Sequence, residues 1–251
     1  MLNELVLLSG IDIPFREAAL VIHQPRIKEI AYIGEENFFN GYELLRFSQN
    51  SLTSEDKARL GEHTDFDIIM SIMRDKHSQE FRKNTTCALL LLTILFPDYS
   101  IKLNPKEILF TKEQDGQTLQ ASLNNSNYDK FKQILNDLVP LGKSQSEEYN
   151  PGGDLAKKIA DKLRKGNQKR AELQNSNQKV SIFSRYISIL TVGERKDMNS
   201  FMNYTPYQLF DEYERYILKL NYDSTFKVKL AGAKDVKEAD DWMKDIHDGG
   251  L

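Results

Sequence analysis

The run at residues 87–96, CALLLLTILF, constrains this chain more than any other stretch. It is ten residues long and carries no charge, so folding must remove it from water. A membrane span needs about 20 such residues. The run therefore reads as a helix buried in a protein core, the end of a longer helix that Pro97 stops. The rest of the chain has to cover it. With 251 residues there is enough chain for a sizeable core, as one large or two small domains. The apolar share of 40% is low for a globular protein but well above disordered composition.

The remaining elements are legible from periodicity and punctuation. Residues 2–24 alternate apolar runs with turn signals, LVLL, then Ser9-Gly10, then DIPF, then ALVIHQ, and short strands are expected there. Pro25 opens a helix that Gly34 ends, and a second helix is expected over 35–47. The segment EDKARL at 55–60 reads as a short helix closed by Gly61. Thr64 with Asp67 reads as a cap for a helix whose Phe66, Ile69, Met70 and Met73 form a stripe. From Tyr99 the period changes to that of strands, IKLN and then ILFTKEQDGQTLQASL. The Asp115-Gly116 pair at its middle is a hairpin signal. Residues 128–139 are again helical.

The stretch 140–153, PLGKSQSEEYNPGG, reads as a linker. Before it lie 15 basic and 20 acidic side chains, and after it, counted from residue 140, 19 and 17. That shift supports a boundary. The expected organisation is an α+β N-terminal domain over 1–139, with short strands and one hairpin, and an all-helical C-terminal domain over 154–251. Helices are expected at 154–165, 181–191, 194–202, 205–220, 222–231 and 235–247, with the polar stretch 165–180 as solvated helix or loop.

No arrangement of residues declares a reaction. Gly142-Lys143-Ser144 lacks the glycine five positions earlier that a phosphate loop needs, since residue 137 is Asp. His63, Asp65, Asp67 and His77 lack close pairing at zinc-ligand spacing, and the two aspartates suit a helix start better. His23 has no nucleophile motif beside it, and no role is assigned to His247. Asp240 and Asp241, adjacent on an expected helix, point apart and mark a solvated face. The single cysteine, Cys87, reads as a small buried hydrophobe; no intrachain disulfide can form, which suits a reducing compartment. The opening MLNELVLLSG has no basic segment of the signal-peptide kind, so an intracellular, soluble protein is expected. No cofactor and no metal are expected.

Binding is the reading that remains. Residues 157–170, KKIADKLRKGNQKR, carry seven basic side chains against one acidic. They lack aromatics for base stacking, and a net charge of −3 argues against a general nucleic-acid binder. A basic outer face on an amphipathic helix explains them. The segment 205–220, TPYQLFDEYERYILKL, opens with a Thr205–Gln208 capping box and Pro206, then presents an aromatic stripe. At the other end, Asp235 with Glu238 reads as a second cap, followed by Trp242, Met243 and Ile246 on one side. Tyr207, Phe210, Tyr213, Trp242, Met243 and Ile246 are the candidate partner-binding residues.

Several of these segments resemble proteins of the tail module of long-tailed phages of Gram-positive bacteria, described as tail assembly chaperones. They are IHQPRIKEIAYIGEENFF (22–39), NPGGDLAKKIADKL (150–163), SRYISILTVGERKDMNS (184–200), YTPYQLFDEYERYILKL (204–220) and AGAKDVKEADDWMKDIH (231–247). The resemblance implies a non-enzymatic role in the cytoplasm of the infected host. The implied partners are a tape-measure protein, whose apolar helices would be kept soluble, and a tail-tube protein, with self-association as a further option. A structural virion protein and, behind it, a nucleic-acid-binding regulator are the competing readings.

Overall fold

The long apolar helix turns one face into the core, while Thr93 is exposed and Leu89, Leu90 and Ile94 are half-buried. The computed structural model describes residues 2–51, 62–75, 77–139, 181–231, 238 and 240–243. In chain order the elements are α1 (Glu4–Ser9), β1 (Ile13–Phe15), β2 (Leu20–Ile22), α2 (Ile27–Ile33), α3 (Glu35–Leu45), α4 (Asp65–Arg74), α5 (Gln79–Leu95), β3 (Ser100–Asn104), β4 (Glu107–Gln114), β5 (Gln117–Leu123), α6 (Tyr128–Leu138), α7 (Ile182–Glu194) and α8 (Pro206–Leu230). Short 3-10 turns lie at Arg16–Ala18, Gln49–Ser51 and Met198–Asn203. The fold is α+β and mainly helical.

Helix α5 buries Cys87, Ala88, Leu91, Leu92 and Leu95, with Phe96 just beyond its end. Its closest neighbour is α3, and Gly41 sets their separation. A Cβ on Gly41 would lie 2.5 Å from the Cys87 carbonyl oxygen and 3.1 Å from Leu91 Cβ. Just past its C-terminal end lies the antiparallel sheet β3-β4-β5, with Ile101 opposite Phe110 and Phe110 opposite Ala121. Ile108, Phe110 and Leu123 point inward, and the Phe110 ring lies 4.6 Å from Phe96. Asp115 and Gly116 both take positive φ, 52° and 75°, the backbone of a type I′ hairpin turn. Helix α6 closes this side; Phe131 meets Phe96 and Phe15, each 6.2 Å away. Buried tyrosines tie the layers together, Tyr42 donating to the Leu135 carbonyl and Tyr128 to that of Leu45 at 2.6 Å. Burial holds both phenols neutral far above the ordinary tyrosine range.

At the N-terminus the hairpin β1-β2 alternates as expected, with Ile13, Phe15, Leu20 and Ile22 buried and Pro14 and Val21 outside. The expected strand at LVLL is instead helix α1. Asn3 accepts from Leu5 N at 2.8 Å, and Gly10, at φ 66°, sends its N–H to the Leu7 carbonyl. Both ends of the turn are thus capped, which a four-residue apolar run does not reveal.

The described residues on either side of 140–180 share one apolar cluster. Phe183 of α7 packs on Phe38 and Phe39 of α3 and on Phe210 of α8. Ile27 N donates to the Tyr204 carbonyl at 2.9 Å, and Ile182 N to Glu35 Oε1 at 2.7 Å. Two further expectations change. The helix expected at 194–202 is the 3-10 turn Met198–Asn203, and the helices expected at 205–220 and 222–231 are one continuous α8. The expected short helix at 55–60, the linker 140–153, the helix 154–165 and the stretch 165–180 lie outside the described residues. Of the helix expected at 235–247, the described residues Glu238 and Asp240, Asp241, Trp242 and Met243 are not helical.

Candidate functional site

Helix α8 is anchored at its start and largely exposed toward its end. The Thr205 hydroxyl accepts from Gln208 N at 3.2 Å, and Gln208 Oε1 accepts from Thr205 N at 2.8 Å. Gln208 Nε2 then donates to the Leu8 carbonyl of α1 at 2.6 Å, so one side chain both starts α8 and docks it. Over the next two turns the helix spends its aromatics on its own molecule. Tyr207, Leu209 and Phe210 are buried. Tyr213 stacks on Tyr186 of α7, 3.8 Å between centroids and 5° between planes. Burial pushes the Tyr186 phenol up, with Tyr213 as a secondary cause.

The five expected partner-binding residues that are described, Tyr207, Phe210, Tyr213, Trp242 and Met243, do not form one surface. Tyr207 and Phe210 belong to the core, and Tyr213 is half-buried in a stack. Trp242 lies beside the opposite side of α8, its ring 5.8 Å from Lys219 Nζ and its carbonyl accepting from Arg215 Nη1 at 3.0 Å. Met243, next to it, is 70% exposed. Ile246 lies outside the described residues.

Beyond Lys219 the helix leaves the body, and a group that the sequence reading missed comes into view. Leu218, Tyr222, Phe226 and Leu230 follow one another at four-residue steps, which places them along one face. Tyr222 is 40% exposed, Phe226 55% and Leu230 72%. Lys219 and Lys229 border this stripe, and Lys229 reaches Glu238 at 3.4 Å. Glu238 and Trp242 thus both lie along the same side of α8. The signal was present in the sequence, because between Leu220 and Tyr222 there is only Asn221 and neither Gly nor Pro to end a helix. An apolar stripe with cationic borders can hold an amphipathic helix by its apolar face.

Elsewhere the described polar groups hold the fold. An open cleft of about 600 Å³ lies between α1, the end of α7 and the start of α8. Its Lys196 pairs with Glu194 at 2.9 Å and with Glu212, so its charges answer one another. His23 bridges Asp12, at 2.8 Å through Nδ1, and Glu29, at 3.1 Å through Nε2. Asp67 closes the Thr64 cap, and Asp65 pairs with Lys132 of α6. Among the described residues no group of three or more His, Cys, Asp or Glu could hold a metal ion. No described helix is long and apolar enough to cross a membrane. The Gly142-Lys143-Ser144 run, the basic stretch 157–170 and His247 lie outside the described residues.

No curated protein and no solved structure matches the chain. Residues 175–247, which contain α7, α8 and the Trp242 segment, match the family described as YomV second domain, a phage-associated family.

Proposed function

We propose that the chain is a non-enzymatic tail assembly chaperone of a long-tailed phage. It would shield apolar helical stretches of a tape-measure protein before tail-tube subunits assemble around them. The observation that carries this reading is the outer stripe of α8, Tyr222, Phe226 and Leu230, exposed on a helix that extends past its own core. A folded chain that keeps such a stripe exposed, with Glu238 and Trp242 lying along the same side, has a surface suited to a partner. The similarity of residues 175–247 to a phage-associated family supports the setting.

The test is co-expression of this chain with the tape-measure protein of the same phage. The chaperone reading expects a soluble complex, and it expects Tyr222→Ser with Phe226→Ser to leave the tape-measure protein insoluble while the chain itself stays folded. Recovery of the chain in stoichiometric amount from purified virions would replace this reading with that of a structural tail protein.

A further inference from the structure

We infer that the distal half of α8 also pairs two copies of this chain, antiparallel, through the face opposite the Tyr222–Phe226–Leu230 stripe. A helix advances about 100° per residue. On that basis Ile217, Leu220, Ser224, Val228 and Ala231 form a second stripe, roughly half a turn away from Arg215 and Lys219, where Trp242 sits. This stripe continues the side that α8 turns to α7 nearer its start, where α7 lies against it from Phe210 to Tyr216. Past Tyr216 the cover by described residues ends. Leu220 is 47% exposed and Val228 46%, and Ser224 and Ala231 are exposed. A helix apolar on two opposite sides is built to be covered on both.

The occupant follows from the order of residues. The five positions are three, four, four and three residues apart, a spacing that reads the same in both directions about Ser224. A two-fold axis at Ser224, with the helices antiparallel, sets Leu220 against the partner's Val228 and Ile217 against the partner's Ala231. Ser224 meets its own counterpart, and its small side chain lets the axes come close at the crossing. Asp223 and Lys227 lie on one flank of the stripe. In the same register each Asp223 comes within about one turn of the partner's Lys227, giving two opposite-charge pairs. A parallel arrangement would put this flank of the two helices on opposite sides of the seam, so that Asp223 and the partner's Lys227 would not meet. The apolar match, the small crossing residue and the charge order all select the same antiparallel register.

The experiment is sedimentation of the full chain across the micromolar range, with far-UV circular dichroism as the check on folding. The native chain is expected to dimerise. Asp223→Lys alone and Lys227→Asp alone are each expected to weaken the dimer by about tenfold, since two attractive pairs become repulsive. An equal mixture of the two variants is expected to recover association as a heterodimer, because opposite charges then face each other across the axis. A merely structural role for the two residues would not produce that recovery. Ser224→Cys is expected to form a disulfide-linked dimer on mild oxidation, Cys87 being buried. A native chain that stays monomeric throughout overturns the inference, as does a dimer insensitive to both charge changes and unlinked through position 224. Phe226→Ser lies on the other face and leaves dimerisation unchanged, so loss of client capture and loss of pairing are read separately.

Discussion

Single residues decide how closely the layers of this molecule approach. Gly41 has no side chain because the Cys87 carbonyl of α5 occupies the place where one would go, 2.5 Å from an added Cβ. Backbone cannot move aside as a flexible side-chain tip can, so Gly41→Ala is expected to destabilise the fold by about 1–3 kcal/mol, measured by urea denaturation. Two aspartates set the response to acid. Burial pushes the Asp65 carboxyl up, but Lys132 and the backbone N–H of Gln49 outweigh it and hold it below the ordinary carboxylate value. The Thr64 hydroxyl and backbone N–H, then Asn125, hold Asp67 low. A lowered folded value means that their contribution is complete above the unfolded pKa of about 3.9 and is lost as pH falls through the folded values. Replacing both with Asn is expected to flatten the fall in melting temperature below about pH 4; an unchanged acid limb would show that other groups govern it.

At the level of the element, α8 divides into an anchored start and an exposed end, and substitutions should divide the same way. Gln208→Ala removes one half of the capping box and the bond to the Leu8 carbonyl. It is expected to cost about 1–2 kcal/mol, whereas Phe226→Ser, on an exposed side chain, should leave the melting temperature nearly unchanged. Calorimetry of both variants checks the division. The same helix shows what could be read from the sequence. The Thr205–Gln208 and Thr64–Asp67 boxes, Pro206 and the Asp115-Gly116 turn are local signals, and each forms the structure its chemistry prescribes. Which face of α8 meets the core depends on Phe183 and Tyr186, distant in sequence, so Tyr207 and Phe210 could not be assigned to core or interface from their own spacing. The continuity of α8 through Asn221 rests on the absence of a breaker, a weaker signal than a cap. Helix α1 was hidden for a related reason: three turns' worth of evidence is needed for a helical period, and its six residues provide less than two.

For the molecule as a whole, the question is whether the helices after residue 180 form a unit of their own. Charge and composition point to a boundary at 140–153. The described contacts join the two sides through Phe183, which is 3% exposed and touches rings of both α3 and α8. A ring shared in this way couples the stabilities of the parts that it joins. Phe183→Ala leaves a ring-sized gap and is expected to cost about 3–5 kcal/mol. In a molecule with one cooperative core, global unfolding exposes every slow amide together. The amide of Phe110 in β4 and that of Leu209 in α8 should then lose protection by the same free energy in the variant, and heating should give a single transition. Independent units would respond otherwise, with Leu209 losing protection while Phe110, in the sheet against Phe96, kept its native rate. Native-state hydrogen exchange on the full-length variant distinguishes the two outcomes, because both amides are read in the same sample and a general loss of stability cannot be mistaken for a local one.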